Sequence, residues 1–387
     1  PRNNTCRGFR ALYSCFGYLG IKMLLKILAL GGDGIGPEVV HSGLQVLEAV
    51  AGTISLKLDI SEDVLHGAAF DAHGVFVRKE TLHQAHHSDA LLVGAVGGPD
   101  WDHIAVEGGP EEQDGLMKLR HELEVFASLR WARAYDPLLS RTPFRPEVVR
   151  SSDVMVVREL CGGAMFSPTR GIDNAGESRR AYDLNEYTEA EIVRFARIGF
   201  EVARRRRGKL LSVDKANVFM AGKLWREVVQ EIGESEFPDV TLTHFFADNA
   251  AYQLSCNPGD FDVILADNLF GDILSDQSAA VSGSLGMLPS ACLSQLPQSG
   301  RSERPAIYEP VHGSAPDIAG AGIANPIGTI LSVAMLLEYS AGESAGARKI
   351  GTAVEAVLQA GFATPDLGGK NTTQQMTDEV IRQVRRI

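Results

Sequence analysis

Short apolar runs alternate with helical patterns along most of the chain. Residues 24–30 read as a strand, with a helical pattern from Pro37 onward. Residues 90–96 read as another strand, followed by a helical stretch over 115–129, and the alternation returns at 154–157, 210–213 and 261–266. Strands interleaved with helices predict an α/β fold whose mostly parallel sheet is covered on both faces. No internal repeat or low-complexity linker interrupts the pattern, and residues 292–305, rich in Pro, Gln, Ser and Gly, read as a surface loop.

Composition narrows the class. At 387 residues the chain has room for two domains or one large one, and 44% hydrophobic with 22% charged residues is a globular balance. A net charge of -12 argues against a nucleic-acid partner. The one strong basic cluster, residues 204–207, ends a helical pattern and reads as a solvated helix terminus. Five scattered cysteines without a C-x-x-C pair point to a reducing, cytoplasmic setting rather than a disulfide framework or structural zinc. Lys22 and Lys26 break the best apolar run, so no membrane span is expected. Residues 1–22 carry Arg2, Arg7, Arg10 and Lys22 and no acidic residue, as an organelle leader would. An upstream start before Met23 is the competing reading.

Several segments could carry chemistry. Residues 31–38, Gly-Gly-Asp-Gly-Ile-Gly-Pro-Glu, sit between a strand and a helix but lack G-x-G-x-x-G spacing. No acidic residue is expected to end a second strand about 20 residues on. A tight turn with positive-φ glycines explains the segment without a ligand. Asp272 and Asp276 are four apart and share a helix face. They read either as solvated carboxylates or as hard oxygen ligands for Mg²⁺ or Mn²⁺. Arg120, Arg130 and Arg158 are suited to bidentate carboxylate capture, and Arg158 ends a strand at the edge where α/β proteins place ligands. Lys215 follows another apolar strand in Ser-Val-Asp-Lys-Ala-Asn and could serve as a base if desolvated. Residues 309–317, Glu-Pro-Val-His-Gly-Ser-Ala-Pro-Asp, followed by Asn325, read as a functional loop. His83, His86 and His87 read as a solvated helical face.

In this order, these segments resemble the β-decarboxylating dehydrogenases of the isocitrate and isopropylmalate dehydrogenase family. The likeness runs from about Leu24 to Gly369 and rests on Gly-Asp-Gly-Ile-Gly-Pro-Glu, Val-Gly-Gly-Pro-x-Trp-Asp, Ser-Val-Asp-Lys-Ala-Asn, Phe-Gly-Asp-Ile-Leu-Ser-Asp and Glu-Pro-Val-His-Gly-Ser-Ala-Pro-Asp-Ile-Ala-Gly. It implies the family's two-domain fold without a Rossmann fingerprint, residues 23–125 with 283–387 binding cofactor and 126–282 carrying dimerisation, metal and substrate. It further implies a homodimer with shared active sites and NAD-linked oxidative decarboxylation of 3-isopropylmalate or a related 3-substituted malate, in leucine biosynthesis or a paralogous pathway. By the same resemblance Arg120, Arg130 and Arg158 hold substrate carboxylates, with Asn217 nearby. Asp272 and Asp276, with Asp248 from the partner subunit, ligate Mg²⁺ or Mn²⁺, and Lys215, also from the partner, serves the hydroxyl proton. Glu309, His312, Gly313, Ser314, Ala315, Asp317 and Asn325 bind the cofactor, and the charge of Asp317 favours NAD over NADP.

The chain departs from the family at one informative position. Two residues after Gly163 the family has a tyrosine that protonates the product, and here stands Met165, which has no exchangeable proton. That opens a second reading, a catalytically impaired member acting as a ligand-binding or regulatory subunit. The stretch 109–117, where the family recognises the substrate's alkyl group, also carries an extra acidic residue.

Overall fold

The computed structural model describes residues 24–176, 178–297 and 301–387. The segment 1–22, with Cys6 and Cys15, lies outside the described residues. Twelve strands are described: β1 Leu24–Gly32, β2 Lys57–Asp63, β3 Ala90–Ala95, β4 Ala127–Arg133, β5 Asp153–Glu159, β6 Arg170–Ala175, β7 Ser178–Asp183, β8 Lys209–Asp214, β9 Thr241–Phe246, β10 Val263–Ala266, β11 Pro289–Leu293 and β12 Ala306–Pro310.

Ten of them form one sheet in the order β2-β1-β3-β12-β11-β4-β5-β10-β8-β9, while β6 and β7 form a separate exposed hairpin. Pairing is parallel from β2 to β12 and from β5 to β9, and antiparallel across β12-β11, β11-β4 and β4-β5. The expected α/β class with a mostly parallel sheet is what forms. Strands on the β2 side of the β11-β4 seam come from residues 24–95 and 289–310, and those on the other side from 127–266. Strand direction reverses at this seam, and such switch points are where open α/β sheets form clefts.

Side chains alternate between the two faces. One face packs against the helices Gly36–Ile54, Glu189–Arg204, Ile327–Tyr339, Ser344–Gln359 and Thr373–Arg386 in a large continuous core. The other is covered by smaller clusters from Gly115–Glu122, Ala247–Cys256 and Asn268–Ser282. No helix among the described residues is long and apolar enough to cross a membrane.

The fold corrects several expectations. The helical stretch predicted over 115–129 ends at Glu122, because Glu124 takes φ +53 and breaks the helix, and the apolar residues beyond it form β4. Residues 309–317 are not wholly loop, since Glu309 lies inside β12, and Cys292 is buried in β11 rather than on a surface loop. A second strand does end on an acidic residue, Asp63, but Arg78 and Thr81 occupy its carboxylate. Its half-exposed edge strand, Lys-Leu-Asp-Ile-Ser-Glu-Asp, has too little apolar content to stand out. The cluster 204–207 is only partly solvated: Arg206 and Arg207 reach Asp262, whose side chain is fully buried. His83, His86 and His87 are exposed on the helix Lys79–His87, as expected.

Candidate active site

Register places the key residues. Ser290 of β11 lies opposite both Glu309 of β12 and Arg130 of β4, and Ser128, two residues before Arg130, lies opposite Arg158 of β5. All therefore project from the same sheet face. Arg120 reaches that face from the last turn of Gly115–Glu122, a helix started by Asp114, whose carboxylate accepts from the N–H groups of Leu116 and Met117. A cleft lined by Leu116, Arg120, Arg130, Ser290, Glu309 and His312 opens between them.

Arg130 and Arg158 are buried and turned toward the helix Asn268–Ser282. Arg130 donates to Ser275 Oγ at 2.8 Å and lies 3.3 Å from Asp272 and 3.5 Å from Asp276. A cation thus stands between the two carboxylates, which otherwise repel at this spacing. Arg158 donates to Asn268 Oδ1 from Nε and Nη2 and pairs with Asp272 through Nη1. Burial pushes the Arg158 guanidinium down to about 10, and Arg130 beside it adds to the effect. Burial likewise raises Asp276, with Asp272 contributing repulsion that Arg130 opposes. Burial works against the charge of Arg120, but Glu309, paired with it at 2.6 Å, together with Cys292 and Asp114 holds its guanidinium above the ordinary value.

Polar atoms here remain unspent. Arg120 Nε, Arg130 Nε and His312 Nε2 are buried without a hydrogen-bond partner. Burial lowers His312 below the usual imidazole range. The two arginine Nε–H groups are buried orphan donors, which are costly and fit a site completed by an acceptor-rich ligand, whereas the His312 ring, whose Nδ1 faces the Gly313 carbonyl, leaves Nε2 as an unpartnered acceptor. Asp272 and Asp276 offer only oxygen, the donor set of a hard divalent cation. Among the described residues no group of three or more metal-ligating side chains forms within one chain.

Lys215 and Asp248 are brought together with each other, not with the arginines. Lys215 follows β8, Asp248 lies in the first turn of Ala247–Cys256 after β9, and the two form an ion pair that holds the Asp248 carboxyl below its ordinary range. Asn217 is exposed two residues beyond Lys215.

The segment after Glu309 folds onto the glycine turn at the start of the chain. Ile35 N–H donates to Ser314 C=O at 2.8 Å, Gly34 has φ +57, and a Cβ there would meet Ser314 O at 2.0 Å. The glycines therefore allow backbone approach between two loops, in keeping with a turn that needs no ligand. Ser314 is buried, Gly313 and Asp317 are exposed, and Ala315 takes φ +40. Asn325 has its amide committed within the fold: it donates to Asp366 at 3.0 Å and accepts from Ile327 N–H at 3.0 Å.

Pattern reading missed the groups behind the arginines. Glu159 accepts from the N–H groups of Cys161 and Gly162 at 2.8 Å each and from Tyr187 O–H at 3.3 Å, while burial pushes its carboxyl up to about 7. Tyr187 also accepts from the backbone N–H of Asn268. Asp33 is buried and accepts from the N–H groups of Gly67, Ala68 and Gly97. Only Ser275 had a readable signal, its i, i+3 spacing from Asp272.

Comparison with known proteins agrees with this architecture. A family model described as isocitrate/isopropylmalate dehydrogenase matches residues 26–380. A 3-isopropylmalate dehydrogenase of Methylococcus capsulatus is 48% identical over 371 residues, 94% of this chain and 100% of the relative. Another, from Aquifex aeolicus, is 46% identical and covers 94% and 98%. Among solved structures, isocitrate dehydrogenase from Methylococcus capsulatus superposes with a TM-score of 0.82 at 30% identity, covering 93% of this chain and 99% of that one. The apo β-decarboxylating dehydrogenase of Thermococcus kodakarensis gives 0.74 at 33% identity, covering 94% and 96%. Three arginines on one sheet face, two of them lining the cleft and two turned to an aspartate pair, on a chain matched over 94% of its length, make this protein a member of the isocitrate/isopropylmalate dehydrogenase family.

Proposed function

We propose that the chain catalyses NAD-dependent oxidative decarboxylation of 3-isopropylmalate or a closely related 3-substituted malate, in leucine biosynthesis or a paralogous pathway, with Mg²⁺ or Mn²⁺ as the metal. The convergence of buried Arg130 and Arg158 on Asp272 carries this reading. In a closed site the diacid's carboxylates engage Arg120, Arg130 and Arg158, whose fork geometry matches carboxylates. Asp272 and Asp276 would hold the metal, joined by Asp248 of a second copy. Glu309, His312, Gly313, Ser314, Ala315 and Asp317 would line the cofactor site. The orphaned His312 Nε2 and the exposed Asp317 carboxylate support that assignment, the latter by repelling a 2′-phosphate. Asn325 would support the loop by packing instead of touching the cofactor.

When bound, the metal supplies Lewis acidity and NAD the hydride acceptor. Lys215 of the second copy would take the C2 hydroxyl proton as the free amine, having first released the ammonium proton that it holds in its ion pair with Asp248, with Asn217 beside it. The arginines hold the carboxylates in place through hydride transfer and loss of CO₂. Met165 cannot deliver the proton that C3 then needs, so water supplies it.

The halves on either side of the β11-β4 seam would divide the labour, 23–125 with 283–387 taking cofactor and 126–282 taking metal, substrate and dimer contacts. Exposed Val218, Phe219, Met220, Tyr252, Leu269 and Ile273 support a homodimer, because they gather on the segments that carry Lys215, Asp248 and Asp272. The free thiols Cys161, Cys256 and Cys292 are in keeping with a cytoplasmic setting. The impaired alternative finds no support in the relatives, which are dehydrogenases matched over nearly their whole length.

The test is NADH formation by the purified protein with Mg²⁺, NAD and 3-isopropylmalate. Absence of NADH with this and other 3-substituted malates would overturn the reading.

A further inference from the structure

Asn268 opens the helix Asn268–Ser282 and is 1% exposed. Its Oδ1 accepts from both Nε and Nη2 of Arg158, at 3.1 and 2.8 Å, so one oxygen spans one edge of the guanidinium. The amide is held in that sense because its Nδ2 donates to the Gly162 carbonyl at 3.0 Å. Its backbone N–H donates to the Tyr187 hydroxyl at 3.0 Å, and that hydroxyl donates in turn to Glu159 at 3.3 Å. The stem of Arg158 is pinned by the same helix, since a Cβ at Gly271 would meet Cβ and Cγ of Arg158 at 2.8 Å. What is left to move is the guanidinium itself.

We infer that Asn268 is a positioning residue for substrate binding: it fixes the plane of the Arg158 fork and, being neutral, leaves the charge of that arginine for a substrate carboxylate. The inference deepens the reaction proposed above, in which Arg158 holds one carboxylate of the diacid. A guanidinium presents two pairs of donors, Nε with Nη2 on its side and Nη1 with Nη2 on its end. Asn268 takes the side, so the carboxylate meets the end. The groups now at that end are replaceable. Met165 Sδ, 3.6 Å from Nη2, is a weak acceptor, and Asp272, paired with Nη1, is partly exposed and is the carboxylate proposed to turn to the metal. At position 268 a carboxylate would hold the fork but neutralise its charge, and an apolar side chain would leave buried donors without a partner. The amide oxygen avoids both.

The experiment measures 3-isopropylmalate binding by calorimetry with Mg²⁺ and without NAD, together with kcat and KM. It compares the native sequence with Asn268→Ala, Asn268→Asp, Arg158→Lys and the double variant Asn268→Ala/Arg158→Lys. Asn268→Ala should weaken diacid binding and raise its KM by up to about 100-fold, the scale on which a binding group misplaced by about an ångström acts. The KM for NAD should stay unchanged. Asn268→Asp keeps the shape and adds the charge, so it should lose at least as much affinity, and it carries the test where the alanine variant fails to fold. In the Arg158→Lys background, Asn268→Ala should change diacid affinity by no more than about twofold, the error of additivity, because an ammonium is a point charge with no fork to orient. A residue that only secured the Gly162 loop or the helix start would cost the same in both backgrounds. Equal losses in the two backgrounds, or full diacid affinity in Asn268→Ala or Asn268→Asp, overturn the inference. A native protein that binds the diacid but forms no NADH overturns the proposed reaction alone, since the binding cycle still decides the role of Asn268. A native protein that does not bind the diacid overturns both.

Discussion

Arg120 and Glu309, 189 positions apart in the chain, form an ion pair of 2.6 Å on the sheet face that carries the cleft. Both side chains are largely buried, and Cys292 Sγ also lies 3.3 Å from the Glu309 carboxylate. Breaking a buried pair from one side strands the other charge, which costs about 3–5 kcal/mol. Glu309→Ala should therefore lower the unfolding free energy by that amount in guanidinium titrations with an unchanged slope. Glu309→Gln, which keeps an acceptor, should cost less. A loss below about 1 kcal/mol in the alanine variant would mean that water or a neighbour already shares the charge of Arg120.

Asp272 is engaged by two arginines before any cation arrives. If it is also a metal ligand, Asp272→Asn should reduce Mn²⁺ affinity by more than about 100-fold, since loss of outer-shell partners alone costs 10–100-fold. NADH formation should fall with it. Mn²⁺ binding followed by electron paramagnetic resonance reads the first effect without relying on turnover. An unchanged Mn²⁺ isotherm would remove Asp272 from the metal site.

Glu159 gives the fold a pH dependence whose sign is fixed by its environment. Burial raises its carboxyl from the ordinary 4.5 to about 7. A carboxyl that holds its proton more tightly when folded contributes stability that is complete below the unfolded value and is lost as pH rises through the folded one. At about 1.4 kcal/mol per pH unit, that amounts to about 3 kcal/mol between pH 4.5 and the region above 7. Glu159→Gln cannot titrate, so the difference in unfolding free energy between the native sequence and the variant should shrink or change sign by about that amount from pH 5 to pH 8. A pH-independent difference would show that Glu159 stays ionised throughout.

What the sequence revealed follows the strength of its apolar signal. β1, β3, β5, β8 and β10 are buried runs and were readable from hydrophobicity alone. β2 and β9 are half-exposed edge strands whose polar positions dilute the pattern, and β4 was absorbed into a helix because no Gly or Pro marks the break at Glu124. Within the candidate site, charged residues at strand ends and the Asp272/Asp276 spacing were visible in the chain. Asn268, Tyr187 and Glu159 were not, because their role depends on contacts as distant as the 110 positions between Arg158 and Asn268. The pairing of Arg120 with Glu309 was hidden for the same reason: sequence spacing carries no record of which strands become neighbours.

Gly34 offers a test of whether the glycine turn serves packing or a ligand. Its φ of +57 lies in the left-handed region, and a Cβ would come within 2.0 Å of Ser314 O, a backbone atom that cannot rotate away. Gly74 has a similar φ of +72 but nothing within 4 Å of a would-be Cβ. Gly74→Ala should thus show only the conformational cost of the left-handed region, about 1–2 kcal/mol. Gly34→Ala carries the same cost and must also push the segment Gly313–Ala315 away from the turn, so it should destabilise by more. Because that segment is the proposed cofactor loop, Gly34→Ala should also weaken NAD binding in calorimetry, while Gly74→Ala should leave it unchanged. Equal unfolding free energies for the two variants would mean that the Gly34–Ser314 contact relaxes freely. A stability loss without any change in NAD affinity would separate the turn from the cofactor and leave it a purely structural device.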